Sequence, residues 1–213
     1  LKGITGLRRD AGGNFFLTVQ PGVTLQDLEA GIGLRRFDTQ GWSQESKDAL
    51  AALWTAPPVR FAPDPTEGSA TIGGAFACDA QGLNAMEAGS VGSHVEAILV
   101  CLPDGRVWEL ERGRYRFEAN GCPLPEGGWL PVASVEGPLS FRGLTPRPGM
   151  DLVDLFAGAE GTLGAVLSLT LRLTPAPAHL WGVFFFFPSQ EGAARFSMPP
   201  PSLPGLAALE FFD

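Results

Sequence analysis

Residues 61–82 read FAPDPTEGSATIGGAFACDAQG. The run holds two prolines, four glycines and five alanines, and its centre, SATIGGAFA, carries no charge. Two adjacent glycines, Gly73 and Gly74, set among small neighbours, let another group come close to the backbone. Successive N–H groups in such a turn can form an anion-binding concavity without a lysine. Composition alone favours a tightly packed Gly/Ala turn between strands over a diphosphate cradle, and both readings stand at this point.

The flanking segments alternate strand and short helix. NFFLTVQPGVT (14–24) predicts a strand running into a turn at Pro21-Gly22. Thr24 then caps a short helix, LQDLEAGI, with Asp27 in its first turn. GWSQESKDALAALW reads as helix or loop. VEAILVCLPDGRVWEL (95–110) predicts a hairpin, because two apolar runs flank the turn residues Pro103-Asp104-Gly105. From Glu111 to Pro148 the chain is rich in Gly, Pro and Arg, which predicts an irregular excursion with one or two short strands. MDLVDLFAG predicts a short helix. AVLSLTLRL predicts a strand with Ser168, Thr170 and Arg172 on one face, ended by Pro175 and Pro177. WGVFFFFP predicts a strand buried on both faces. A helix starting at Ser189, a loop MPPPSLPG and a last strand ALEFFD follow.

Composition removes several function classes. Of 213 residues, 45% are hydrophobic and 18% charged, enough for a real core and too apolar for disorder. The net charge of −8 and the absence of any basic run argue against nucleic acid. Cys78, Cys101 and Cys122 are odd in number and widely spaced, so neither a disulfide framework nor a zinc site is expected, and a reducing compartment fits. No apolar stretch reaches membrane-spanning length. No signal peptide or initiator methionine is visible, and the chain is expected to be a fragment.

Competing motifs fail on spacing. GIGLRR at Gly31 has two glycines of a Rossmann fingerprint, but Arg36 stands at the third place and a helical segment precedes it. Neither lysine, Lys2 or Lys47, sits in a Walker A loop. His94 and His179 are the only histidines and lack a carboxylate cluster in register, so no metal site is expected. No nucleophile elbow is present. EGTLGAV (160–166) is a second glycine motif. Its backbone could read the edge of a heterocycle, or Gly161 could simply end a helix before a strand.

Several segments then fall into one family order. APDPTEGSATIGGAFACDAQG resembles the PDP…ATIGG…NAGG segment of flavoproteins in the vanillyl-alcohol oxidase / p-cresol methylhydroxylase (PCMH) superfamily. VQPGVTLQDL is similar to the strand-turn-helix before it. VEAILVCLPDG is similar to the family's hairpin, and MDLVDLFAGAEGTLGAVLSLTLRLTPAP to its GSEGTLG block. The resemblance covers most of Phe15 to Pro177. The branch most resembled is that of the glycolate oxidase subunit and D-lactate dehydrogenase.

This resemblance implies an α+β fold: a PCMH-type FAD-binding domain of two α+β lobes with mixed sheets over 1–177, its first lobe incomplete, and the start of an α+β cap domain over 178–213. It implies that FAD is the cofactor. By matching position, Asp64, Pro65 and Thr66 begin the cofactor loop, and Ala70, Thr71, Ile72, Gly73 and Gly74 offer backbone N–H groups to the diphosphate. Ala77, Cys78, Asp79 and Ala80 follow under the ribityl chain and flavin. Glu160, Gly161, Thr162, Leu163, Gly164 and Val166 match the block near the adenine and the isoalloxazine edge. The implied substrate is a 2-hydroxy acid of the glycolate or D-lactate type, oxidised by hydride transfer to flavin. The alternatives are an electron-transferring subunit with an iron–sulfur or quinone-linked partner, and a degenerate scaffold. The expected location is cytoplasmic, or peripheral to the membrane through partner subunits. Asp79 stands where the family has asparagine, and Gln81-Gly82 replaces its second glycine pair. The family's first phosphate loop is expected before Leu1 and its catalytic histidines beyond Asp213, so no catalytic residue is assigned.

Overall fold

Alternation along residues 165–172 organises the protein. In the computed structural model, which describes residues 1–132, 146–198 and 204–212, this segment is the central strand of a five-stranded sheet. Leu169 and Leu171 are buried from solvent, while Thr170 on the other face meets the Thr18 hydroxyl at 3.3 Å. The strands are β1 (Ile4–Arg9), β2 (Phe15–Val19), β4 (Val95–Cys101), β5 (Val107–Glu111) and β8 (Ala165–Arg172), in the order β1-β2-β8-β4-β5. Two further pairs stand apart: β3 (Val59–Arg60) with β9 (Thr174–Pro175), and β6 (Gly121–Pro123) with β7 (Trp129–Pro131). Every pairing among the described residues is antiparallel, which corrects the expected mixed sheets.

Helices pack on this sheet through residues that the caps fix in place. Thr24 accepts the Asp27 N–H and starts α1 (Leu25–Leu34), which buries Leu25, Leu28 and Ile32. Ser43 accepts the Ser46 N–H and starts α2 (Gln44–Thr55), which buries Ala49, Leu50 and Leu53. Arg35, left-handed at the end of α1, donates to the carbonyls of Leu53, Trp54 and Ala56 and so locks the two helix ends together. Asp151 and Asp154 form a reciprocal capping box on α5 (Leu152–Phe156). Asp154 also takes an ion pair from Arg112 at 2.8 Å, which ties α5 to the end of β5. The core runs from Leu7 and Leu17 through Leu28, Leu53 and Phe76 to Leu110, Leu152 and Leu171.

Other expectations are changed by partners that the fold supplies or withholds. ITGLRR, which has no strong local strand signal, forms β1 because β2 offers it an edge. The Gly/Ala stretch was expected to be non-helical; it folds as α3 (Ile72–Ala77), capped by Thr71, and is followed by α4 (Ala85–Ala88). Phe184–Phe187 is not a buried strand. No described strand pairs with it, and Phe186 is 93% exposed. ALEFFD likewise forms no strand over its described residues. The helix predicted from Ser189 is present as α6 (Gln190–Ser197). The two short strands expected in the 111–148 excursion are β6 and β7, while residues 133–145, and 199–203 of the MPPPSLPG loop, lie outside the described residues.

Candidate cofactor crevice

The two glycine motifs meet. The N–H of Glu160 donates to the Ala77 carbonyl at 2.8 Å, and that of Gly158 to the Phe76 carbonyl at 3.1 Å. Beside these bonds lies a crevice of about 190 Å³ lined by Pro21, Gly73, Ala77, Phe156, Ala159, Gly161, Gly164, Ala165 and Val166. It is bounded by the β2–α1 turn, α3, the end of α5 and the start of β8. Five of the predicted residues reach it: Gly73, Ala77, Gly161, Gly164 and Val166. Pro21, Phe156, Ala159 and Ala165 line it without having been singled out. Pro21 was visible only as a turn residue, because its contact with α3 is tertiary.

Each glycine has its own reason. A Cβ on Gly73 would fall 2.5 Å from the Pro21 Cβ and 2.9 Å from the Pro21 carbonyl oxygen. Glycine there lets α3 lie against the turn. Gly164, at φ +159°, would bring a Cβ to 2.6 Å from the Cys101 carbonyl oxygen, so it seats β8 against β4. Gly161 is different. Its φ is +75° and nothing lies within 4 Å of a Cβ built on it. The turn conformation demands glycine there, while the space in front of it is open.

Four of the five backbone donors expected to cradle a diphosphate are engaged within the chain. Ala70 N–H donates to Glu67, Ile72 to Val23 and Gly73 to Pro21, and Gly74 donates to the Thr71 hydroxyl at 3.2 Å. No lining side chain is charged. A flat ring therefore fits the small apolar walls, whereas a diphosphate finds no cation there and meets the Gly161 N–H, which has no partner among the described residues.

The remaining predicted residues support these walls. Asp64 accepts the Leu83 N–H, and a Cβ on Gly82 would overlap the Asp64 carbonyl, so 64–66 and 82–83 pack as one layer. Asp79 is left-handed, at φ +47°, a conformation that Asp and Asn tolerate best after glycine. Its carboxylate accepts the Gly92 N–H at 2.8 Å and pins the 3-10 turn Val91–His94. Residue 79 thus has a structural role, one that an asparagine carbonyl oxygen could also fill. Ala80 donates to the Ala75 carbonyl, Thr162 caps back onto the Ala159 carbonyl, and Leu163 packs on the core. Thr66, Cys78 and Glu160 are exposed. No group of residues able to hold a metal ion occurs among the described residues.

Several known proteins are similar to this chain. A D-lactate dehydrogenase of Anaerostipes hadrus is 29% identical over 202 residues, 94% of this chain and 32% of that protein. A probable mitochondrial D-lactate dehydrogenase of Danio rerio is 28% identical over 205 residues, 94% of this chain and 31% of its own. The decaprenylphosphoryl-beta-D-ribose oxidase of Mycolicibacterium smegmatis is 28% identical over 160 residues, 74% of this chain and 24% of its own. No family model matches the chain. These similarities support its place among the FAD-linked oxidases of the PCMH superfamily. Within them they support the D-lactate dehydrogenase-like branch. The chain spans about a third of the length of the D-lactate dehydrogenases it matches.

Proposed function

We propose that this chain forms part of the flavin-binding domain of an FAD-dependent oxidoreductase that oxidises a 2-hydroxy acid of the D-lactate or glycolate type. The observation that carries the reading is the convergence of α3 with residues 159–166, more than 80 positions away in the sequence, on one small apolar crevice. In this reading residues 1–177 hold the cofactor and residues 178–213 begin the cap. FAD would supply hydride acceptance. Gly161, Gly164, Ala77 and Val166 would hold the flat ring and exclude water from it. Gly73 and Pro21 would fix the depth of the crevice. Pro, Gly, Ala, Phe and Val cannot take a proton, so the base for the substrate hydroxyl comes from outside this lining. The diphosphate would have the Gly161 N–H, and would need further donors beyond the crevice or exchange of the bonds now made by Ile72, Gly73 and Gly74.

The test is the visible spectrum of purified protein, recorded before and after anaerobic addition of D-lactate or glycolate. A flavin spectrum that bleaches supports the oxidoreductase. A flavin spectrum that stays unbleached with both acids refutes that substrate class. Absence of flavin after reconstitution with FAD sinks the cofactor reading and favours a scaffold, which the engaged N–H groups of α3 would then explain. No described helix is long and apolar enough to span a bilayer.

A further inference from the structure

A second, larger cavity lies at the far end of β8. It encloses about 430 Å³ and is lined by Arg60, Glu87, His94, Arg172 and the hydroxyl residues Ser93 and Thr174, among others. It shares no residue with the crevice. Val166 lines one and Arg172 the other, six residue steps apart along the strand, or about 20 Å. The space exceeds that of a single water by an order of magnitude, at roughly 30 Å³ of liquid volume each.

Its charge is arranged for an anion. Arg60 and Arg172 both face it, and Glu87 is its one acidic side chain. Burial and these two arginines hold the His94 imidazole below its ordinary value, so it adds no positive charge near neutral pH. The Nε2–H of His94 is spent on the Ala88 carbonyl at 2.9 Å, and Arg172 Nη2 on the Ser93 carbonyl at 3.0 Å. Arg60 is left half used. Its Nη2 meets Glu87 at 3.2 Å, while its Nε is shut off from water and has no hydrogen-bond partner. Nε and Nη2 form the side edge of a guanidinium, the edge that takes both oxygens of a carboxylate or phosphate. An unpaired buried donor calls for an occupant. The Glu87 carboxylate, on a half-exposed side chain, marks where one oxygen would sit, and its exposed side leaves room for it to be displaced.

We propose that this cavity binds a small organic oxyanion, a carboxylate or a phosphate monoester, on the side edge of Arg60, displacing Glu87, with Arg172 adding charge and Ser93 and Thr174 offering hydroxyls. The probes are D-glycerate and glycerol 3-phosphate, titrated into the protein by calorimetry. Binding of either supports the site, and the tighter one fixes the anion class. Arg60→Gln should weaken binding at least tenfold. Glu87→Gln, which removes the internal competitor, should tighten it several-fold, and Arg106→Gln on the exposed β4–β5 turn should leave it unchanged. A parallel ¹H–¹⁵N spectrum of Arg60 Nε should shift on saturation, a readout that does not depend on any variant folding. No heat with either probe up to about 10 mM, or binding that Arg60→Gln leaves intact, overturns the proposal and leaves Arg60–Glu87 as an internal ion pair. Neither outcome depends on whether flavin is bound.

Discussion

Glu160 donates its backbone N–H to the carbonyl of Ala77, and both residues sit at the joint of two loops distant in sequence. Glu160 adopts φ +50°, a left-handed conformation unusual for a long side chain. Its side chain is exposed, so the bond and not the carboxylate holds the joint. Glu160→Gly relieves the left-handed strain and keeps the N–H. It should therefore preserve stability within about 1 kcal/mol. Glu160→Pro removes the donor and cannot reach positive φ, and should cost about 3 kcal/mol or more. Urea unfolding of the two variants checks the contrast.

The crevice glycines separate packing from access. Gly73→Ala places a methyl against Pro21 and should destabilise by about 1–3 kcal/mol, the usual cost of overpacking. Gly161→Ala meets no atom and should cost only the left-handed penalty of about 1–2 kcal/mol, yet its methyl projects into open space. If a flat ring occupies that space, Gly161→Ala loses cofactor out of proportion to its stability. Flavin stoichiometry set against the unfolding midpoint decides. Equal losses in the two variants would show that Gly161 serves the fold alone.

Asp79→Asn offers a charge test that leaves geometry alone. Asparagine tolerates the left-handed backbone and its carbonyl oxygen can accept the Gly92 N–H, so stability should change by less than about 1 kcal/mol. Removing a carboxylate from beside the crevice should strengthen binding of an anionic cofactor, and more at low salt than at high. Asp79→Ala loses the acceptor and should cost about 1–3 kcal/mol. Equilibrium titration with FAD at two ionic strengths, beside unfolding curves, reads both effects.

Much of this architecture is legible in local chemistry. Thr24, Ser189 and the Asp104-Gly105 turn announce their elements because a cap or a turn depends on a few neighbouring residues. The alternation of AVLSLTLRL places Leu169 and Leu171 inward correctly. The Phe184–Phe187 run defeats the same reasoning, because a strand needs a partner that periodicity cannot supply. The site divides in the same way. Gly73 and Gly161 are both visible as glycines, yet only the fold shows that one packs on Pro21 and the other faces open space. The N–H groups of Ile72 and Gly73 look available in sequence, and are spent on Val23 and Pro21 once the turn docks.

His94 gives the protein a defined response to acid. It is buried, its Nε2–H serves the Ala88 carbonyl, and Arg60 and Arg172 face it, with Glu87 the one carboxylate lining the same cavity. Burial and the two cations lower its folded-state value below the ordinary 6.5. The unfolded chain therefore takes up this proton first as pH falls. Stability is full above about pH 6.5, declines below it, and levels off once the folded state also protonates. His94→Gln cannot charge and should remove that part of the slope between pH 6.5 and 5, while its amide can still donate to Ala88. Carboxylates contribute their own slope, so the comparison is between variant and parent at each pH by urea unfolding. Parallel curves over that interval would show that His94 is as easily protonated folded as unfolded.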